Sequence, residues 1–121
     1  MELDQTLVSL NRDQFFHGYC FVFTKNHLTE LFHLELQTRS GIIEEMNSVA
    51  AALSRLFNPA KINYELLGNM VPHMHWHIVR RFTTDPFWPR PIWSESHEAV
   101  ELAASEYEAR ISLIKSELGV S

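Results

Sequence analysis

The chain has 121 residues, of which 45% are hydrophobic, and carries a formal charge of −5 with its histidines neutral. That length suits a single domain, 1–121, with a core of its own, and the composition is that of a globular protein, not a disordered one. The acidic balance excludes broad binding to a nucleic-acid backbone but not a small phosphate ligand, the lone Cys20 excludes an internal disulfide, and no apolar run approaches the roughly 20 residues needed to cross a bilayer.

MELDQTLVSL has acids where a signal peptide would carry Lys or Arg, so the expected location is the cytoplasm. Residues 7 to 11 and 15 to 23 are β-prone runs separated by the polar trio RDQ, which predicts an antiparallel hairpin with Cys20 as a buried, inert thiol. Gly18 marks a bulge or a close backbone approach, and His17 beside it reads as an exposed bystander. TKNHLTELF then predicts a short helix capped by Asn26 or Thr24, with Lys25 and His27 at its entry, where free N–H groups favour anions. His33 reads as exposed.

Residues 38 to 57 carry the clearest helical stripe, Ile42, Met46, Val49, Ala50, Leu53, Leu56 and Phe57, which is core packing ended by Asn58-Pro59. Residues 61 to 67 alternate as a strand, and Gly68-Asn69 turns the chain into the next one. TTDPFWPRPIW, with three prolines and two tryptophans, cannot be regular helix and is expected either to wrap over a partner surface or to pack as a surface loop. From Ser94 the chain turns helical, capped by Ser94 or Ser96 and stopped at Gly119, with His97 in the first turn facing solvent.

The chemistry concentrates in Asn63 to Arg81. His73, His75 and His77 occupy every second position, alternating with Met74, Trp76 and Ile78. Successive strand side chains point to opposite faces, so three imidazoles share one face above an apolar underside. A helix would scatter them. His73 and His77 are about 13 Å apart along a strand at roughly 3.3 Å per residue, too far to converge on one ion, so no metal site is assigned. A nucleophilic imidazole fits better: the middle residue, His75, can attack phosphorus while its neighbours donate hydrogen bonds to the phosphate oxygens. Lys25, His27, Arg80, Arg81 and Arg90 fall near these motifs and could supply further phosphate donors.

HMHWHIV resembles the signature of the histidine triad (HIT) family of nucleotide hydrolases and transferases. Asn63 ten residues before His73, LLGN before the motif, Arg81 after it and GYCFVFTKNHLTEL upstream also resemble the family, and DPFWPRPIW resembles the tail of a bacterial diadenosine tetraphosphate hydrolase-like branch. The likeness spans roughly residues 7 to 93. It implies an α+β fold, an antiparallel sheet of about five strands with one long helix packed on it and a C-terminal helix, in a homodimer. It further implies His75 as the nucleophile of a nucleotidyl-histidine intermediate, His77 and Asn63 on the reacting phosphate, His73 orienting the array, and His27 beside the phosphate. Met70 stands where the family often has Ser or Thr, and a thioether cannot donate a proton, so Asn69, His27 or water inherits that role. Arg80 replaces a proline of the branch and adds a cation for a longer or more charged tail.

The expected activity is therefore hydrolysis of a nucleoside phosphate anhydride or phosphoramidate, with dinucleoside polyphosphates leading, no required cofactor, and Mg2+ possible with a polyphosphate substrate. The rivals are a nucleotide-binding or regulatory module with little turnover, favoured by Met70, and a metal-dependent hydrolase.

Overall fold

A computed structural model describes residues 1–120. Strands β1 (Thr6–Leu10), β2 (Cys20–Thr24), β3 (Lys61–Leu66) and β4 (His75–Arg81) form one sheet in the order β1-β2-β4-β3, with every neighbouring pair antiparallel. Helix α1 (Leu36–Phe57) and helix α2 (Ala104–Leu118) complete an α+β architecture. Among the described residues the sheet has four strands, not the five expected. Beyond β4 the prolines at 86, 89 and 91 lack the N–H a fifth ladder would need.

Alternation along each strand splits the sheet into two chemically distinct faces. Val8, Val22, Trp76 and Ile78 are buried on the underside, where they join Ile42, Val49 and Leu53 of α1 and Ile114 of α2 in the main core. Each fully buried aliphatic side chain there contributes about 1.5–3 kcal/mol. Truncating Leu53 to Ala would cost about 2–5 kcal/mol, because a well-packed core closes only partly over the void. Helix α1 ends where Asn58 adopts a left-handed φ of 46° and its N–H bonds to the Ser54 carbonyl, a conformation Asn tolerates better than most residues.

The opposite face carries Phe21 and Phe23 of β2, His75 and His77 of β4, and Asn63 and Glu65 of β3. Phe23 lies opposite His75, Phe21 and Glu65 lie opposite His77 from either side, and Asn63 lies opposite Val79. A second apolar cluster of Phe16, Tyr19, Val79 and Ile92 covers one end of this face.

Several expectations are corrected. Residues 15 to 19 are not strand: the chain turns through Gly18 at φ +80°, and an added Cβ there would lie 3.1 Å from the Phe57 ring, which confirms a close approach. Asn26 and Thr24 cap no helix, since only Leu31–His33 forms a single 3₁₀ turn, so no helix entry presents N–H groups at His27. Helix α2 starts ten residues after Ser94 because 97 to 100 are fastened to the β1–β2 connection: Val100 N–H bonds Asp13, Gln14 N–H bonds the Val100 carbonyl, and His97 Nε2 lies 2.9 Å from Asp13. His97 does not face solvent but stacks on Phe15 at 3.9 Å between ring centroids. The 82 to 93 segment takes the packed-loop arrangement, one of the two expected for it, against its own sheet, with Ile92 buried and Trp93 set edge-on to His77.

Candidate active site

The triad is built by β4 and the residues just before it. Met74, Trp76 and Ile78 are buried beneath it, which fixes the strand and so the direction of the alternating imidazoles. His75 Nδ1 lies 2.8 Å from the backbone carbonyl of His73. A carbonyl only accepts, so that nitrogen carries the proton and Nε2 of the neutral ring keeps its lone pair. His73 Nε2 similarly donates to the Thr24 carbonyl at 2.7 Å, which locks the His73 ring to the end of β2.

His77 is buried, and its Nδ1 lies 2.5 Å from the Tyr19 hydroxyl. Burial, reinforced by the charge His75 would carry, pushes its pKa down to about 4, so the ring is neutral at physiological pH. Tyr19 is pushed well above its ordinary range, first by burial and then by the Glu65 and Asp13 carboxylates, so it remains a phenol. The His75 and His77 rings are 5.0 Å apart between centroids, and Phe21 packs edge-on against both. Trp93 closes the β3 side of His77, its Nε1–H donating to Glu65 at 2.6 Å.

A pocket of about 470 Å3 opens over the three imidazoles, with Leu7, Phe21, Phe23 and Val71 as apolar wall and Lys25 beside them. Lys25 is paired with Glu2 at 2.8 Å. His27 is exposed, its Nδ1 3.4 Å from His73 Nδ1, which puts it next to the triad.

The remaining expected site residues lie elsewhere. Arg81 is about 1% exposed and does not reach the pocket. Its guanidinium donates to Asp85, to the Asn63 side-chain oxygen and to the Arg90 carbonyl, all within 3.1 Å, and so fastens the 82 to 93 segment. Asn63 shares the triad face, but it sits level with Val79, one strand pair beyond His77, and its oxygen is turned to Arg81. Asn69 is exposed and lines a separate hollow with Phe32 and Leu66. Arg80 points away from the triad, between the Phe57 and Phe82 rings, and donates to the His17 carbonyl, so it extends no phosphate tail. Met70 is exposed on the β3–β4 connection. Among the described residues no three His, Cys, Asp or Glu side chains are grouped to hold a metal ion. Cys20 is buried, and burial raises its pKa to about 12, which leaves an unreactive thiol.

Tyr19, Glu65 and Trp93 complete the site and were not singled out from the sequence. The one signal was that Tyr19, Phe21 and Phe23 alternate, so an aromatic row shares a face.

The HIT domain family model matches residues 1–84. No curated protein matches the chain. Among solved structures, a histidine triad protein from Bradyrhizobium japonicum is similar at 26% identity with a TM-score of 0.88, over 97% of this chain and 87% of that one. A histidine triad protein from Sinorhizobium meliloti is similar at 27% identity with a TM-score of 0.88, over 95% and 84%. A third, from Marinobacter aquaeolei, is similar at 25% identity with a TM-score of 0.85, over 97% and 84%.

Proposed function

The chain belongs to the HIT domain family, and from that premise we propose that it hydrolyses a nucleoside phosphate anhydride or phosphoramidate, with dinucleoside polyphosphates of the diadenosine tetraphosphate type as the leading substrates. The observation that carries this reading is the bond from His75 Nδ1 to the His73 carbonyl, which leaves Nε2 as the lone-pair nitrogen of a pocket-lining ring. His75 Nε2 bonds to phosphorus while the bond to the leaving group breaks and that group departs with the electron pair. Water then adds to the nucleotidyl-histidine, its proton passes through solvent to the departed leaving group, and His75 leaves as its neutral ring. His77 donates to a phosphate oxygen, where charge grows in the transition state. His73 holds the array through its carbonyl, and Lys25 and His27 meet the anionic leaving group. The row of Leu7, Phe21, Phe23 and Val71 suits the planar base of a nucleoside.

In this reading one domain, 1–121, acts in the cytoplasm as a homodimer, without a cofactor of its own, and any Mg2+ arrives with the polyphosphate. β3 is an edge strand with Tyr64 and Leu66 exposed, which supports pairing with a second copy. A solution mass of one 14.1 kDa chain at micromolar concentration would count against the dimer. The decisive experiment mixes the protein briefly with diadenosine tetraphosphate or an adenosine phosphoramidate labelled on the reacting phosphate, with and without chelator, followed by alkaline quench. Label on His75 as an acid-labile phosphoramidate is expected. Tight nucleotide binding with no turnover of either substrate would favour a regulatory module instead, and loss of turnover of the metal-free phosphoramidate on chelation would favour metal chemistry.

A further inference from the structure

The geometry points to Tyr19 as a positioning residue of the triad: its hydroxyl donates to His77 Nδ1 and thereby holds His77 as a neutral ring with its proton on Nε2, aimed at the phosphate. This rests on the hydrolase reading for its consequence in catalysis, but the tautomer itself is a property of the free protein.

A neutral imidazole carries one proton, and a ring that must donate to phosphate needs it on the nitrogen facing the pocket. The hydroxyl of Tyr19 lies 2.5 Å from His77 Nδ1 and has no other hydrogen-bond acceptor among the described residues. If His77 kept its proton on Nδ1, the Tyr19 hydrogen would be buried without an acceptor and Nε2 would face the phosphate with a lone pair. Both faults vanish when Tyr19 donates.

The groups around this pair act together. Tyr19 itself is buried and held in place by its ring against Phe21 at 5.3 Å between centroids. The titratable groups facing His77 are His75 on its own strand, Glu65 across the β3 ladder and Tyr19. Phe21 from β2 and Trp93 from the returning segment are uncharged walls. Glu65 has the charge to draw a proton onto His77, but Trp93 Nε1–H occupies Glu65 Oε2 at 2.6 Å. A carboxylate in the place of Tyr19 would favour imidazolium and turn His77 into a base. A phenol holds the same nitrogen without adding charge, so the ring is a fixed donor and takes no proton during the reaction.

The test is the two-bond ¹H–¹⁵N spectrum of the histidine side chains in the substrate-free full chain at pH 7, wild type and Tyr19→Phe, beside turnover of the phosphoramidate. In wild type the His77 Nε2 is expected at the pyrrole-type shift and Nδ1 at the pyridine-type shift, unchanged from pH 5.5 to 8. In Tyr19→Phe the Nδ1 shift should move while burial keeps the ring neutral over that range, and kcat should fall about tenfold with KM within threefold. A 3-fluorotyrosine at position 19 keeps the donor and should restore kcat. A wild-type ring protonated on Nδ1 would overturn the assignment, whether or not Tyr19→Phe folds. So would a Tyr19→Phe protein whose His77 shifts and kcat equal those of wild type. Absence of any turnover by wild type, with the Nε2–H ring observed, would instead sink the hydrolase reading and leave the tautomer standing.

Discussion

The Nδ1 of His75 is 2.8 Å from the backbone carbonyl of the residue two before it, His73, so one bend of the chain sets both the tautomer and the direction of the candidate nucleophile. The bond uses main chain and does not depend on the His73 ring. His75→Gln is therefore expected to lower kcat by several orders of magnitude while nucleotide still binds. His73→Gln keeps the carbonyl and should lose no more than about 10²-fold, the low end for one lost transition-state donor. Steady-state kinetics with equilibrium binding on both variants separates the two roles, and equal losses would mean the carbonyl is not what orients His75.

Burial sets a pH dependence on folding through His77. Its folded pKa of about 4 lies below the ordinary histidine value of 6.5, so between these values the unfolded chain binds a proton that the folded chain does not. The stability that His77 contributes is present above pH 6.5 and is lost as pH falls towards 4. Urea denaturation from pH 7 to pH 4 should show a shallower loss of stability for His77→Gln than for wild type, and identical slopes would refute the burial argument.

Arg81 is the buried clasp of the 82 to 93 segment. Arg81→Met removes the partner of Asp85 and two further anchors, Asn63 and the Arg90 carbonyl, and is expected to cost about 3–5 kcal/mol, the loss typical of stranding a buried charge. Arg81→Lys cannot reproduce a planar fork reaching three acceptors and should recover only part of it. Chemical denaturation gives both numbers, and the 93 indole emission should report release of Trp93 from His77 in the weaker variant.

Gly18 takes a φ of +80° with the Phe57 ring 3.1 Å from where a Cβ would sit. Gly18→Ala meets strain and crowding together and is expected to destabilise by about 1–3 kcal/mol. A thermal midpoint within a degree of wild type would contradict this.

The histidines outside the pocket divide into two kinds. His17→Gln and His33→Gln should leave turnover within a few-fold and folding nearly unchanged. His97→Gln should also leave turnover intact but cost about 1–2 kcal/mol, because it removes the Asp13 contact and the ring stacked on Phe15. A collapse in rate with intact folding for any of the three would mean the site extends beyond the triad pocket.

What the sequence determined by itself was whatever a local period dictates. The alternation from His73 to Ile78 can be satisfied only by a strand with imidazoles above and apolar residues below, and the structure places Met74, Trp76 and Ile78 in the core accordingly. The stripe from Ile42 to Phe57 likewise has one helical solution, and α1 ends at Asn58 as the Asn-Pro pair requires. What only the tertiary structure decided was where a polar group finds its partner, since that depends on segments distant in the chain. The run from Phe15 to Tyr19 has strand-like residues, but burying Phe16 and Tyr19 against Val79 and Ile92 outweighs a longer ladder. Arg81 follows the triad in sequence where a phosphate ligand is expected, yet Asp85 and Asn63 claim its guanidinium. Ser94 can cap a helix, but Val100 bonds to Asp13 and Gln14 and delays α2 to Ala104. Tyr19 and His77 are 58 residues apart in sequence, and only the pairing of β2 with β4 brings a phenol to the imidazole it orients.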